Sequence, residues 1–278
     1  MFISQFYFFS QTMTKKVNKM EEKNNIEPID FPPILYKYMP EWPYALNTLT
    51  TRYFYFSPIT EFNDPFEGKF FDDGQYSKED IRHYFRYSCH ASEEYMKSLE
   101  NILSAENWDE ILKDLLKREK EKVEQDYGLL CLSKKNEDIL MWSHYANSHK
   151  GIVIGIDSAI LLQNIISSLH IGSIKSVKYE SEYPKTRFFC NQTDAVDKWF
   201  FTKYKEWEYE EEYRAIHKPG LILFPNEIIR SVYFGAKFDL KKRDFWIKQI
   251  IDSGIRPAFY QTKLNEFSYK INFNPIAI

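Results

Sequence analysis

The stretch KYKEWEYEEEYRAI, residues 203–216, sets Glu210, Glu211 and Glu212 between Tyr209 and Tyr213, with Trp207 upstream and Arg214 close behind. On a helix these residues make an ordinary solvated charged face. On a strand, successive side chains alternate between faces. Glu210, Glu212 and Arg214 then share one face, and Tyr209, Glu211 and Tyr213 the other. The tyrosines and the following Ala-Ile favour the strand. Two carboxylates on alternate strand residues stand about 7 Å apart. At that distance they can divide labour, one orienting or polarising while the other acts as a base or supports a cation.

Outward from this segment, short strands and helices succeed one another. ILYKYMP (34–40), RYFYFSP (52–58), YGLLCLS (127–133), GIVIGID (151–157), IKSVKYES (174–181), 208–216, IRSVYFGAK (229–237), RPAFYQTKLN (256–265) and FSYKINFN (267–274) read as strands. EWPYALNTLTT (41–51), DILMWSHYANSHK (138–150), SAILLQNIISSL (158–169), DAVDKWFFTKYKEW (194–207) and KKRDFWIKQIIDSG (241–254) read as helices. Residues 77–125 carry amphipathic spacing and a Ser77 N-cap, and read as a helical insertion or lid. The expectation is an α+β fold: a single domain, 26–278, with a central mixed or antiparallel sheet, flanking helices and that insertion. Residues 1–25, MFISQFYFFSQTMTKKVNKMEEKNN, lack a basic n-region and a cleavage motif. They read as a mobile leader or one added by a mis-assigned start, with the fold beginning near Ile26.

The 278 residues are enough for a sizeable core, and 44% hydrophobic with 18% aromatic residues describes a globular chain. The net charge of −3 offers no global basic excess for nucleic acid. No stretch has the ~18 apolar residues of a membrane span. Cys89, Cys131 and Cys190 are odd in number and far apart, as in a reduced cytoplasmic protein. Cys89-His90 has no second pair at ligand spacing, so no metal site is expected. Oligomeric state is left open.

Two further stretches bear on chemistry. FSPITEFNDPFEG (56–68) places Asn63, Asp64 and Glu67 in a loop after a strand, where binding groups are common; the alternative is a turn whose Asn and Asp only cap the backbone. In MWSHYANSHKGIVIGID (141–157), a helix puts Trp142, Tyr145 and Ala146 on one side and Ser143 and His144 on another. His144 is a candidate base or substrate donor, against the alternative of a satisfied core histidine. His144 and His149, five apart, do not make a helical zinc pair. Lys150-Gly151 reads as a dipole-complementing charge and a C-cap glycine.

Together, N-D-P-F-E (63–67), M-W-S-H-Y-A-x-x-H-x-G (141–151) and K-x-x-x-W-x-x-E-x-E-x-R (203–214) resemble the bacterial family catalogued as domain of unknown function 2971, over roughly residues 34–237. Members resemble accessory proteins of bacterial and phage-defence contexts. A weaker, fold-level likeness is to the ADP-ribosyltransferases. There an early His or Arg and a middle Ser or Tyr grip NAD, and a late Glu stabilises the oxocarbenium-like sugar. That likeness implies Lys37 or Tyr38 at the early position, Ser57 in the middle and Glu212 late. The chain departs from it in offering no His or Arg in ILYKYMP.

The leading expectation is a cytoplasmic effector that processes NAD or another nucleotide, or a nucleic acid. Glu212, Glu210 and His144 would be catalytic. Asn63, Asp64, Glu67, Trp142, Ser143, Tyr145, Lys203, Trp207 and Arg214 would bind the ligand. The alternatives are a nuclease gathering Mg²⁺ on Asp64, Glu67, Glu210 and Glu212, and a non-catalytic ligand-binding or sensor module.

Overall fold

The computed structural model of the protein describes residues 32–169 and 173–278, so the expected leader and the start near Ile26 lie outside the described residues. Its elements run β1 (Ile34–Met39), α1 (Leu46–Thr51), β2 (Tyr53–Pro58), α2 (Lys78–His83), α3 (Glu93–Leu103), α4 (Trp108–Asp126), β3 (Gly128–Ser133), α5 (Ile139–His144) and β4 (Ile152–Asp157). There follow α6 (Ser158–Leu169), β5 (Ser173–Ser176), β6 (Lys178–Glu180), α7 (Gln192–Phe200), β7 (Thr202–Tyr204), β8 (Glu212–His217), β9 (Gly220–Leu223), β10 (Ile229–Phe234), α8 (Leu240–Asp252), β11 (Ala258–Leu264) and β12 (Ile271–Pro275).

Ten strands form one mixed sheet in the order β12-β11-β10-β4-β1-β3-β2-β9, with β8 paired to β3 and β5 to β8. Among the described residues, only β10 and β11 run parallel within it. The fold is α+β, as expected. β3 is the branch point. It meets β1 at Ser133 and β2 at Leu129 and Gly128, and pairs along its whole length with β8. Ser133 stands opposite Glu212 and Cys131 opposite Arg214.

Alternation along these strands separates two environments. Leu130, Leu132 and Ala215 join Leu35, Ile154, Val232, Phe259 and residues of α1, α6 and α8 in the main core. The opposite face carries two smaller cores. One gathers α2, α3, α4 and α7 with Leu129 and Ile216. The other packs Tyr38, Val153, Tyr233 and Ile271 against Met141, Trp142 and Ala146. Burial of this much apolar and aromatic surface is the dominant stabilising effect. Cys131, Ser133, Glu212 and Arg214 lie on this second face.

Three local readings are corrected. First, residues 208–216 are not one strand: Lys205–Glu210 is a 3₁₀ turn, Glu211 adopts a left-handed φ of 40°, and the strand begins at Glu212. Second, the helix expected over 194–207 stops at Phe200, and β7 then pairs in parallel with β6. Third, the helix expected over 138–150 ends at His144. Asn147, Ser148 and His149 follow with φ of 46°, 53° and 68°, so three non-glycine residues take the left-handed role expected of Gly151.

Gly151 is needed for close approach instead. A Cβ there would overlap the Met39 carbonyl oxygen, and one on Gly235 would overlap the carbonyl oxygen of His149. Gly235 also donates to Gly151 O at 2.9 Å, so the 145–151 loop lies flush on the start of β4 and the end of β10. Substituting Gly235 by Ala is expected to lower the unfolding free energy by about 1–3 kcal/mol, the usual cost of overpacking. Urea denaturation followed by circular dichroism measures it; an unchanged midpoint contradicts the flush packing.

Candidate functional site

Five ionisable side chains meet on the second face of the sheet, next to both smaller cores. Arg214 is wholly buried on β8. Its Nε donates to Glu212 Oε1 at 2.8 Å, one terminal nitrogen donates to Glu212 Oε2 at 3.0 Å and to Glu67, and the other donates to Phe200 O at 2.6 Å. Lys203 on β7 donates to Glu210 Oε2 at 2.6 Å and Glu212 Oε2 at 3.2 Å, and lies 3.8 Å from Glu67 Oε2. None of the five side chains exceeds 7% exposure.

Local structure delivers each member. Glu67 arrives on a turn in which Asp64 Oδ1 accepts from Phe66 N at 2.9 Å, so Asp64 shapes the loop and stands outside the cluster. Glu210 closes the 3₁₀ turn, and its carbonyl accepts from Ser133 Oγ at 2.6 Å. The left-handed Glu211 then swings its own side chain outward to Lys135. Tyr145, just past α5, donates to Glu210 Oε1 at 2.7 Å. Tyr179 on β6 accepts from Glu212 N at 2.8 Å. Trp207 caps Lys203, whose ammonium lies 5.0 Å from the ring centroid, and Phe62 covers the Arg214 guanidinium at 5.3 Å.

The cluster holds three carboxylates and two cations. Burial pushes the Glu212 carboxyl upward, although Lys203 opposes this. Burial works against the Lys203 charge, but Glu212 and Glu210 outweigh it and raise the ammonium above its usual range. Burial brings Arg214 down to about 9, still charged at neutral pH. Tyr145 is raised by burial and by Glu210, so its phenol keeps its proton. The Cys131 thiol is pushed well up by burial and by Glu212.

Of the residues singled out in the sequence, Glu67, Tyr145, Lys203, Trp207, Glu210, Glu212 and Arg214 therefore come together. The others stand apart. Asn63 is exposed in the loop. His144 is exposed, with its ring edge-on to Tyr145. Trp142 is wholly buried, donates to Asn136 O at 2.7 Å and packs edge-on to Tyr38, so it serves the core. Ser143 Oγ donates to Ile139 O at 2.9 Å and lies 3.4 Å from His149 Nε2. Of the ADP-ribosyltransferase-like positions, Lys37 donates to Cys131 O and Tyr38 to Lys135 O, and Ser57 pairs with Leu129 in the sheet.

Sequence reading missed Tyr179, Cys131, Ser133 and Phe62 as neighbours. Tyr179 and Cys131 do fall in the VKY and LLCLS strands that accompany the motifs. Among the described residues no group of three or more His, Cys, Asp or Glu could hold a metal ion. Of the four carboxylates expected to gather Mg²⁺, Glu67, Glu210 and Glu212 accept from Arg214 or Lys203, and Asp64 accepts from Phe66 N.

Removing Arg214 strands Glu67 and Glu212 in the interior. Arg214→Met is expected to cost about 3–5 kcal/mol of stability, the range for breaking a buried pair. Glu211→Gln, on the half-exposed Lys135 pair, is expected to cost about 0–1 kcal/mol. Chemical denaturation of both variants checks the contrast; equal effects contradict it.

Among the described residues no helix is long and apolar enough to cross a membrane. Neither a curated protein nor a solved structure matches the chain. A family model does match: residues 141–215 fit the one described as Protein of unknown function (DUF2971). That interval opens on Met141-Trp142 and closes just after Arg214, so it takes in four of the five cluster residues. Over residues 141–215, the chain is thus similar to the DUF2971 family.

Proposed function

We propose that the carboxylate cluster is the centre of an enzyme that breaks the bond between a nucleotide ribose and its base, with NAD as the substrate class, in the manner of ADP-ribosyltransferases and NAD-cleaving effectors. The observation that carries this reading is the charge count. Three buried carboxylates face two buried cations, and an uncompensated charge in a desolvated site is costly. A sugar passing through an oxocarbenium-like state brings the missing positive charge and is stabilised most where that charge peaks.

Glu212, fixed by Arg214 and Lys203, would face the cationic sugar carbon. Nicotinamide would leave as a neutral molecule when the ribosyl C–N bond breaks. Water or another acceptor would add to that carbon and give its proton to Glu210. Tyr145, keeping its own proton, would hold Glu210 in place. Trp207, half-buried above Lys203, offers a ring face for a base. The three cysteines form no disulfide, which supports a reducing, cytoplasmic setting.

A second reading has its own observation: the five side chains are almost fully buried, as befits a clamp in a non-catalytic binding module. Incubation with NAD and chromatographic measurement of free nicotinamide separates the two. The enzyme reading expects release that falls roughly 100-fold in Glu212→Gln, within the range for removing one preorganised group, while the variant keeps a native circular dichroism spectrum. It also expects NAD or ADP-ribose to raise the melting temperature. No release and no thermal shift leave the clamp.

A further inference from the structure

Ser143 and His149 lie in the same motif as Tyr145, yet the carboxylate cluster makes no use of them. Ser143 Oγ donates to Ile139 O at 2.9 Å and lies 3.4 Å from His149 Nε2, which can accept from it in the tautomer that carries its proton on Nδ1. Catalytic hydrogen bonds are often this loose before a substrate binds. The imidazole is 7% exposed and lies parallel to the Trp142 ring, with centroids 6.1 Å apart and planes 5° apart. Its Nδ1 is buried and makes no hydrogen bond.

The backbone beneath is held in an unfavourable state. Asn147, Ser148 and His149 are all left-handed, at a cost of roughly 1–2 kcal/mol per residue. His149 N donates to Trp142 O at 3.2 Å, and His149 O accepts from Lys237 N at 2.9 Å, so both sides of the peptide are pinned. Such strain persists where the surroundings over-determine it, and it concentrates at functional sites.

We propose that Ser143 and His149 form a nucleophilic pair, separate from the carboxylate cluster, that takes the acyl group of an activated ester onto Ser143 Oγ. The Oγ–C bond forms and the ester C–O bond breaks. The hydroxyl proton passes to His149 Nε2 and from there to the departing alcohol. Trp142 stacking and the pinned backbone orient the imidazole in place of the carboxylate that usually does so. Burial and the Lys237 charge hold the His149 pKa below its ordinary 6.5, so the ring is neutral and able to accept a proton at pH 7. Lys237 is the charged group acting on the ring; Ser143 and Trp142, which face it from α5, are uncharged.

The test treats the full chain with p-nitrophenyl acetate and, separately, a fluorophosphonate probe, and locates the adduct by peptide mass spectrometry. Acetyl and phosphonyl groups are expected on Ser143 and absent in Ser143→Ala. His149→Asn suits the left-handed backbone, so the variant keeps the loop while losing the base, and labelling should slow roughly 100-fold. The wild-type rate should fall on acidification as the imidazole takes a proton, at a pH below that of an ordinary histidine. No adduct on Ser143, or wild-type labelling rates in His149→Asn, overturns the pair. Neither outcome bears on NAD cleavage, which nicotinamide release tests separately.

Discussion

A guanidinium sealed from water sets the constraint on which the rest of the structure depends. Arg214 has no exposed surface, and every partner it has comes from the chain itself: Glu67 from the 62–68 loop, Glu212 from its own strand and the Phe200 carbonyl from the end of α7. A buried charge is tolerated only when it is paired and fully hydrogen-bonded. The position of Arg214 therefore dictates where α7 must stop and where the N-D-P-F-E turn must point. Lys203, on β7 of the separate β6-β7 pair, repeats the logic and adds Glu210, and Glu210 in turn reaches Tyr145 beyond α5. Segments separated by up to 147 residues are tied together by hydrogen bonds rather than by apolar packing alone.

Much of the fold was legible because it follows periodicity. The aromatic and apolar strands β1 to β4, of which β3 and β4 are buried on both faces, and the amphipathic α2 to α4 fall where their patterns put them. What escaped was set by tertiary constraints. KEWEYE has aromatic and charged residues that suit a strand, but the chain must bring Glu210 back toward Lys203, and a 3₁₀ turn with a left-handed Glu211 does so. The helix through Trp142 was readable, but its early end was not. No local signal announces three left-handed non-glycine residues, whose conformation depends on Gly235 and Gly151 lying beneath the loop. β9, short and at an edge, carried no period to read.

The candidate site shows the same division. Alternation placed Glu212 and Arg214 on one face, and the turn preserved Glu210 in their company for a different reason. The motifs identified Glu67, Lys203 and Tyr145 without showing how they meet. Asp64 and Trp142 turned out to serve the loop and the core, the alternative already open for the first. Sequence spacing cannot separate a residue that shapes a site from one that fills it. Hydrogen-bond partners can, since Asp64 spends its oxygen on Phe66 N while Glu67 spends its own on Arg214.

The central claim is that the cluster is one coupled unit joining the 62–68 loop to β8. A double-mutant cycle with Glu67→Gln and Arg214→Met tests it most directly, read by chemical denaturation. Each single change leaves a buried charge or polar group without its partner, and the second change relieves what the first created. Coupling of about 1–3 kcal/mol is expected, as for residues in one ionic network. Additivity within about 0.5 kcal/mol, as for distant independent sites, would contradict the account.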